Sequence, residues 1–590
     1  MSSTTVSGAY PFVQLPFATS AIVLGFLLFL YLAYHWALPK PLPGIPYNKD
    51  ALKTILGDGA EIRKIRGAGG SARKWFGQQT TRHMSPLVQA FLAPFTKPVL
   101  ILSDFREAQD ILLRRNKEFD RASWTNDSLR GVLPWHHIGM QTADPQFRRN
   151  RELVKDLMTS HFLNTVNAPA IYDGAQIFLD LWRVKAQLAG SRPFQADEDI
   201  HAMAFDIIKV VALGEGDNQS ITARYLDMVR SATFTDQKPD ATKDTVYVFP
   251  KNEANDDLRA HQTQQEAVSE SLTHPSPKLF HTFHNFTAPM REAFALKTSM
   301  LDKQVSLAVK RLEAGERVKS ALDYMIQREV SAAKKAGRQP VFDSPSMRDE
   351  LYGYIGAGHD TTSTTFQWGL KHLAVHQGAQ KKIRDSLHAA YAEAFDAGRQ
   401  PSVAEITKTS VPYLDAVMEE ILRLSGPFPQ LVREAMVDTT LLGHRVPKGT
   451  QVFLDIFGPS FTSPSLPVDE AVRSESSKSH RGTTTGSWDH ADPQAFVPER
   501  WLKKTVKDGG AAEAEAYHYD AQAGPILSFG AGVRGCFGRR LAYLELRILM
   551  TLLLWNFELG PLPRELNTWE KVDDLAIKPA KCYVRLAEAR

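Results

Sequence analysis

Residues 527–550 read LSFGAGVRGCFGRRLAYLELRILM, and the role of Cys536 inside that run decides the fold. Gly530, Gly532, Gly535 and Gly538 surround the cysteine, and Arg534 stands two residues before it. From about Arg539 to Trp555 apolar residues recur at helical spacing. One reading is a buried cysteine in a glycine-rich turn, the common fate of a lone cysteine. It gives no reason for four glycines and Arg534. A second is a dinucleotide fingerprint, because Gly530-Ala531-Gly532-Val533-Arg534-Gly535 fits GxGxxG between the short apolar run 527–529 and a helix, with Glu558 downstream. Too little chain follows Glu558 to complete a doubly wound sheet, and no strand–helix alternation precedes the motif.

A third reading, a haem-thiolate loop, accounts for every residue. An axial thiolate accepts hydrogen bonds from backbone N–H groups, and glycines let the chain wrap closely around sulfur. The N-terminus of the following helix favours negative charge there. Arg534 can pair with a haem propionate, and Phe529 can shield the sulfur from water. Phe529-x-x-Gly532-x-Arg534-x-Cys536-x-Gly538 resembles, position for position, the haem-ligand signature of the cytochrome P-450 monooxygenases.

Working outward, the clearest helix starts at Asp343-Ser344-Pro345, a polar cap with proline in the first turn, and runs to about His376. Gly353, Gly356 and Gly358 interrupt it, where glycine weakens a helix. The run Ala357-Gly358-His359-Asp360-Thr361-Thr362 resembles the family's oxygen-activation motif. Small residues there let the helix approach a cofactor face and open locally. Asp360 and Thr361 are the candidate catalytic pair, relaying protons during oxygen activation; His359 is a spectator. Glu420-Ile421-Leu422-Arg423 resembles the family's ExxR motif, and Phe496-Val497-Pro498-Glu499-Arg500-Trp501 its PERF segment, so Glu420, Arg423 and Arg500 form the implied structural triad. Arg433 in QLVREA resembles a propionate-binding residue, as does Arg151 in FRRNR, where Phe147 replaces the usual tryptophan. The resemblance thus implies Cys536 as iron ligand, with Arg534, Phe529, Gly538, Arg433, Arg151, Ala357 and Gly358 around haem b.

The rest of the chain agrees. With 70 basic and 66 acidic residues the formal charge is only +4, too balanced for a nucleic-acid binder. Two cysteines, Cys536 and Cys582, exclude a disulfide framework and a four-thiolate metal site. Residues 17–36 carry no Lys, Arg, Asp or Glu and are long enough for one helix across a bilayer. The first charges, Lys40, Lys49 and Asp50, follow that segment, which places the main body in the cytosol. We therefore expect residues 1–16 in the lumen, a transmembrane anchor at 17–36, a proline-rich hinge at 37–48 and one catalytic domain at 49–590. The sequons at Asn126, Asn218 and Asn285 are then unused.

The expected fold is mainly α with a minor β region, the cytochrome P-450 fold. Strand-like runs lie at 97–102, 440–442, 451–456 and 582–586. Residues 463–487 read as a solvated insertion, and 511–516 as a low-complexity stretch. Expected pocket walls are 119–141, 204–213, 354–357, 427–431 and the C-terminal turn, apolar enough for a lipophilic substrate. The resemblance implies insertion of one oxygen atom from O2, with electrons from an NADPH-dependent flavoprotein reductase in the endoplasmic reticulum membrane. Arg534, Arg539, Arg540 and Arg547 form a candidate basic docking face. The overall look is fungal, and secondary metabolism is the setting by analogy. An isomerase or dehydratase of the same fold and a non-catalytic haem sensor are the alternatives; Asp360 and Thr361 argue against both.

Overall fold

A computed structural model describes residues 17–214, 220–231, 242–480, 492–504 and 517–589. The low-complexity stretch 511–516, Asn218 and the expected lumenal segment 1–16 lie outside them. Helices dominate and small sheets are set to one side.

The helix Phe17–Ala37 stands apart from the rest. Its Ser20–Ala37 stretch has mean hydropathy 1.7 and is only 6% buried. Side chains from Ile22 to Leu32 face outward all round, as bilayer contact requires and a soluble core helix does not. Trp36 meets the exposed Phe95 ring at 4.8 Å. The Tyr34 hydroxyl donates to the Lys53 carbonyl, tying the end of the helix to the domain.

The long helix spans Pro345–Val375, with the Ser344 hydroxyl accepting from the Met347 N–H as its cap. Its glycines do not break it; the helix is continuous, so the expected local opening is absent. They serve close packing instead. A Cβ at Gly353 would lie 2.2 Å from the His136 ring, and one at Gly358 would lie 2.6 Å from Ile208. Ile208 belongs to the helix Asp197–Leu213, which packs along the face of the long helix opposite the cysteine loop. That overturns the expectation that residues 204–213 wall the pocket. They are core: Phe205, Ile207, Ile208 and Val211 are all buried.

The main sheet orders its strands Leu87–Ala90, Val99–Leu102, Gln451–Asp455, Gln430–Ala435 and Phe119–Arg121. Two expected strands fall in it. The run at 440–442 becomes half of a hairpin, Thr439–Leu441 with His444–Val446. The run at 582–586 divides into Tyr583–Val584 and Leu586–Glu588, which pair with different partners. Residues 527–529 form a turn, not a strand, which removes the context a dinucleotide fingerprint needs.

The described part of the insertion, 463–480, is only partly solvated, and 481–487 lie outside the described residues. Arg473 pairs with Asp104 at 2.8 Å and with Glu470 at 3.0 Å. The Ser474 and Ser476 hydroxyls both donate to Asp110 at 2.7 Å. Residues 470–480 are thereby stitched to the helix Phe105–Leu113, a role that polar composition alone could not reveal.

Candidate haem-thiolate site

The cysteine loop is built from two tight turns. Gly530 N–H donates to Leu527 O at 2.7 Å, and Gly535 N–H to Gly532 O at 3.0 Å. Gly530 and Gly532 adopt φ of +62° and +68°, a region side chains avoid. At Gly532 a Cβ would sit 2.1 Å from the Leu112 carbonyl oxygen. Cys536 N–H closes the loop on Phe529 O at 2.8 Å. Gly538 then caps the helix Arg539–Asn556.

Cys536 opens to a cavity while the protein surrounds it on its other sides. Burial pushes its thiol above the ordinary value. The Gly538 and Arg539 N–H groups and the Arg539 and Arg151 charges oppose that shift by favouring thiolate. The Phe529 ring packs on Tyr543 at 5.2 Å.

The cavity holds about 1510 Å³. Cys536, Phe537 and Gly538 line it together with Gly356, Ala357, Gly358, Asp360 and Thr361 of the long helix. The cysteine loop and the small-residue run of the long helix therefore share one chamber. Ala357 is exposed to it, whereas the missing Cβ of Gly358 points away, at Ile208. The Thr361 hydroxyl donates to the Ala357 carbonyl at 2.8 Å. Asp360 is buried and pairs with Lys578 at 3.0 Å. His359 points into the core and does not line the chamber. In place of 204–213, residues of the 265–275 segment form a wall, with Val572–Leu575 near the C-terminus.

Charge around the chamber is lopsided. Arg433 lies directly across the sheet from Arg121. Arg534 and Arg151 join them, while Asp120 is the near acid. Burial pulls Arg433 and Arg534 down to about 9, and the Arg121 charge adds to the effect on both. Arg534 Nη1 and Arg121 Nε are buried without a hydrogen-bond partner. Buried, mutually repelling guanidiniums with orphan donors fit a ligand bearing more than one negative charge. A haem with two propionates, seated between thiolate and long helix, has that charge. Sequence reading puts Arg121 only in a pocket wall, 119–141, and misses its charge role, since no motif marks it; the pairing to Arg433 reveals that role.

Phe147 has a use of its own: the Arg534 guanidinium lies 4.4 Å from its ring centre. Arg151 lies similarly over Phe537, at 4.7 Å. A cation over an aromatic face is attracted without any N–H donor, so Phe147 orients Arg534 where an indole would donate. His137 is a second missed neighbour. Its Nδ1 meets Glu350 at 2.6 Å, and burial lowers it to about 3. Glu545 is a third. It is buried, receives the Thr362 hydroxyl at 3.4 Å, and burial raises it to about 8.

Behind the loop the implied triad is assembled. Arg423 Nε and Nη2 donate to the two Glu420 oxygens, each at 2.8 Å, and Arg500 approaches Glu420 at 3.6 Å. Trp501 Nε1 adds a bond to Glu420 at 2.9 Å. The expected basic docking face is partly corrected. Arg534 points inward to Phe147. Arg547 pairs with Asp415, and Arg540 bonds Met158 O and Ser160.

Comparison with known proteins bears on the chain as a whole. The chain matches the Cytochrome P450 family over residues 78–458 and 487–585. It is 37% identical to "Cytochrome P450 monooxygenase TRI13" of Fusarium sporotrichioides, across 95% of this chain and 98% of the relative. It is 33% identical to "Cytochrome P450 monooxygenase GME11363" of Pestalotiopsis microspora, across 97% and 99%. Over 46% of this chain and 87% of the relative it is 43% identical to "Hps1-dma1 cluster cytochrome P450 monooxygenase cyp3.1" of Dothistroma septosporum. A glycine-cradled cysteine, a continuous small-residue helix across one chamber and full-length likeness to fungal monooxygenases agree: this chain belongs to the cytochrome P450 family and is a haem-dependent monooxygenase.

Proposed function

We propose that the protein is anchored in the endoplasmic reticulum membrane by residues 17–36 with its catalytic domain in the cytosol. There it inserts one oxygen atom from O2 into a lipophilic small molecule of secondary metabolism. The observation that carries this is the shared chamber, which Cys536, Ala357, Thr361 and four arginines line together. The cluster named in the Dothistroma relative supports a biosynthetic setting.

Cys536 would supply the sulfur ligand to the haem iron, and the Gly538 and Arg539 N–H groups favour its thiolate against the burial that raises it. Arg121, Arg151, Arg433 and Arg534 would hold the propionates. Bound haem supplies the oxygen-activating chemistry. The protein's own part is to exclude water, position the substrate and move protons. Leu129, Leu133, Leu431 and Leu575 provide apolar walls for the substrate. Asp360 and Thr361 form the proton path, the hydroxyl turning from the Ala357 carbonyl toward the chamber. Electrons come from an NADPH-dependent flavoprotein reductase.

The test is turnover of a compound panel by holoenzyme, scored first by ligand-induced spectral shifts and then with labelled dioxygen. One labelled oxygen per product, strictly dependent on NADPH and reductase, is expected. Product formed without either would transfer the protein to the isomerase reading. Arg121 gives a second check. Arg121→Gln removes one charge-assisted partner and is expected to speed haem transfer to apomyoglobin about tenfold. The exposed Arg82→Gln should leave that rate unchanged.

A further inference from the structure

Asp360 has a partner that the oxygen-activation motif does not explain. The strands Lys571–Asp573 and Ile577–Pro579 form a hairpin whose register sets Val572 opposite Lys578. Trp368 Nε1, on the long helix, donates to the Ile577 carbonyl at 3.0 Å and clamps the hairpin against that helix. Val572 to Leu575 wall the chamber. The Lys578 ammonium then reaches two carboxylates. It donates to Asp574 Oδ2 at 2.8 Å, and it stands 3.0 Å from Asp360 Oδ1.

Both contacts are charge-assisted and at hydrogen-bond distance from the ammonium, and they differ in burial. The Asp360 side chain is 4% exposed against 29% for Asp574. One ammonium thus bridges a buried acid and a more exposed one, both on the chamber wall. An ammonium is a compact charge on a flexible stem and can move between acceptors this close together.

We propose that Lys578 is a positioning residue for proton delivery, shared between Asp360 and Asp574, and that its shift toward Asp574 frees the Asp360 carboxylate to carry a proton. The inference rests on Asp360 being the relay acid. In each transfer the carboxylate takes one proton from water on the hairpin side and holds it as an O–H. It then releases that proton to chamber water, directly or through the Thr361 hydroxyl, which accepts it and gives its own onward, and returns to carboxylate. The electrons come from NADPH through the reductase and bypass the hairpin. Hairpin and chamber are one structure here, so the strands that wall the substrate space also set the state of the acid.

The test uses holoenzyme with reductase, NADPH and O2 and no organic substrate. It reads NADPH oxidation in H2O and D2O. Asp360→Asn is expected to slow oxidation about a hundredfold. Asp574→Asn leaves Lys578 with Asp360 alone and is expected to slow oxidation about threefold or more, with an enlarged solvent isotope effect. Lys578→Arg preserves the bridge and stays near wild type. Lys578→Met strands a buried carboxylate. It should show a protonated-carboxyl infrared band that is absent from wild type and from the Lys578→Met/Asp360→Asn double variant. An unchanged CO-bound spectrum in each variant certifies the haem pocket. If Asp574→Asn matches wild type in rate and isotope effect while Asp360→Asn is slow, the shared-lysine proposal is overturned and the relay stands. A normal rate in Asp360→Asn overturns both.

Discussion

Arg423→Ala is expected to be among the most destabilising single substitutions in the chain. Arg423 and Glu420 are both fully buried, and the guanidinium makes two bonds to the carboxylate. It also donates to the carbonyls of Phe461 at 2.9 Å and Pro493 at 2.6 Å. Truncation leaves a buried charge that keeps Arg500 at 3.6 Å and the Trp501 and Val497 N–H groups among its partners but loses its two-pronged one. Breaking a buried pair from one side costs about 3–5 kcal/mol. In a chain of this size that corresponds to a fall in Tm of about 3–4 °C. Arg423→Lys should recover little, because a point charge cannot reproduce the two-pronged bond. The exposed pair Lys381–Asp385 provides the contrast: Lys381→Ala should cost less than about 0.5 kcal/mol. Thermal unfolding of the three variants decides the matter, and a Tm for Arg423→Ala within a degree or two of wild type contradicts this account of the scaffold.

Gly532→Ala is the second large effect. Two penalties coincide at one atom. The residue sits at φ +68°, which costs an L side chain roughly 1–2 kcal/mol. The new methyl would also lie 2.1 Å from the Leu112 carbonyl oxygen, a backbone atom that cannot swing aside. The loop must then part from the helix Phe105–Leu113, and the total is expected to exceed about 3 kcal/mol. Because the loop sets the position of Cys536, haem content should fall along with stability. Gly67→Ala is the control: its Cβ meets nothing within 4 Å. Equal haem content in the two variants would show that the loop tolerates what the geometry forbids.

The fold class and the core of the site were legible because they sit in short, local patterns. Phe529 to Gly538, Ala357 to Thr362, and Glu420 to Arg423 each lie within one turn or helix, so spacing along the chain stands in for geometry. The helix cap at Ser344-Pro345 and the apolar run of the anchor are local in the same sense. What escaped is long-range. Arg121 matters because a strand far along the chain sets Arg433 beside it. Lys578 matters because a C-terminal hairpin lies against the long helix. The glycines of that helix were rightly seen as costly but assigned to local opening, whereas the neighbours His136 and Ile208 explain them. The walls misplaced at 204–213 fail for the same reason: an apolar helix facing core and one facing a chamber read alike in sequence. Arg473 in the insertion shows that polar composition does not separate a solvated loop from an ion-paired one.

The central claim is that Cys536 ligates haem iron as thiolate, and the reduced, CO-bound difference spectrum of wild type beside Cys536→Ser tests it most directly. Wild type should give the red-shifted Soret band that thiolate ligation produces, and Cys536→Ser should lose it while retaining the fold by circular dichroism. A wild-type band at the position of a neutral-ligand haem, or an undiminished red-shifted band in Cys536→Ser, would contradict the account.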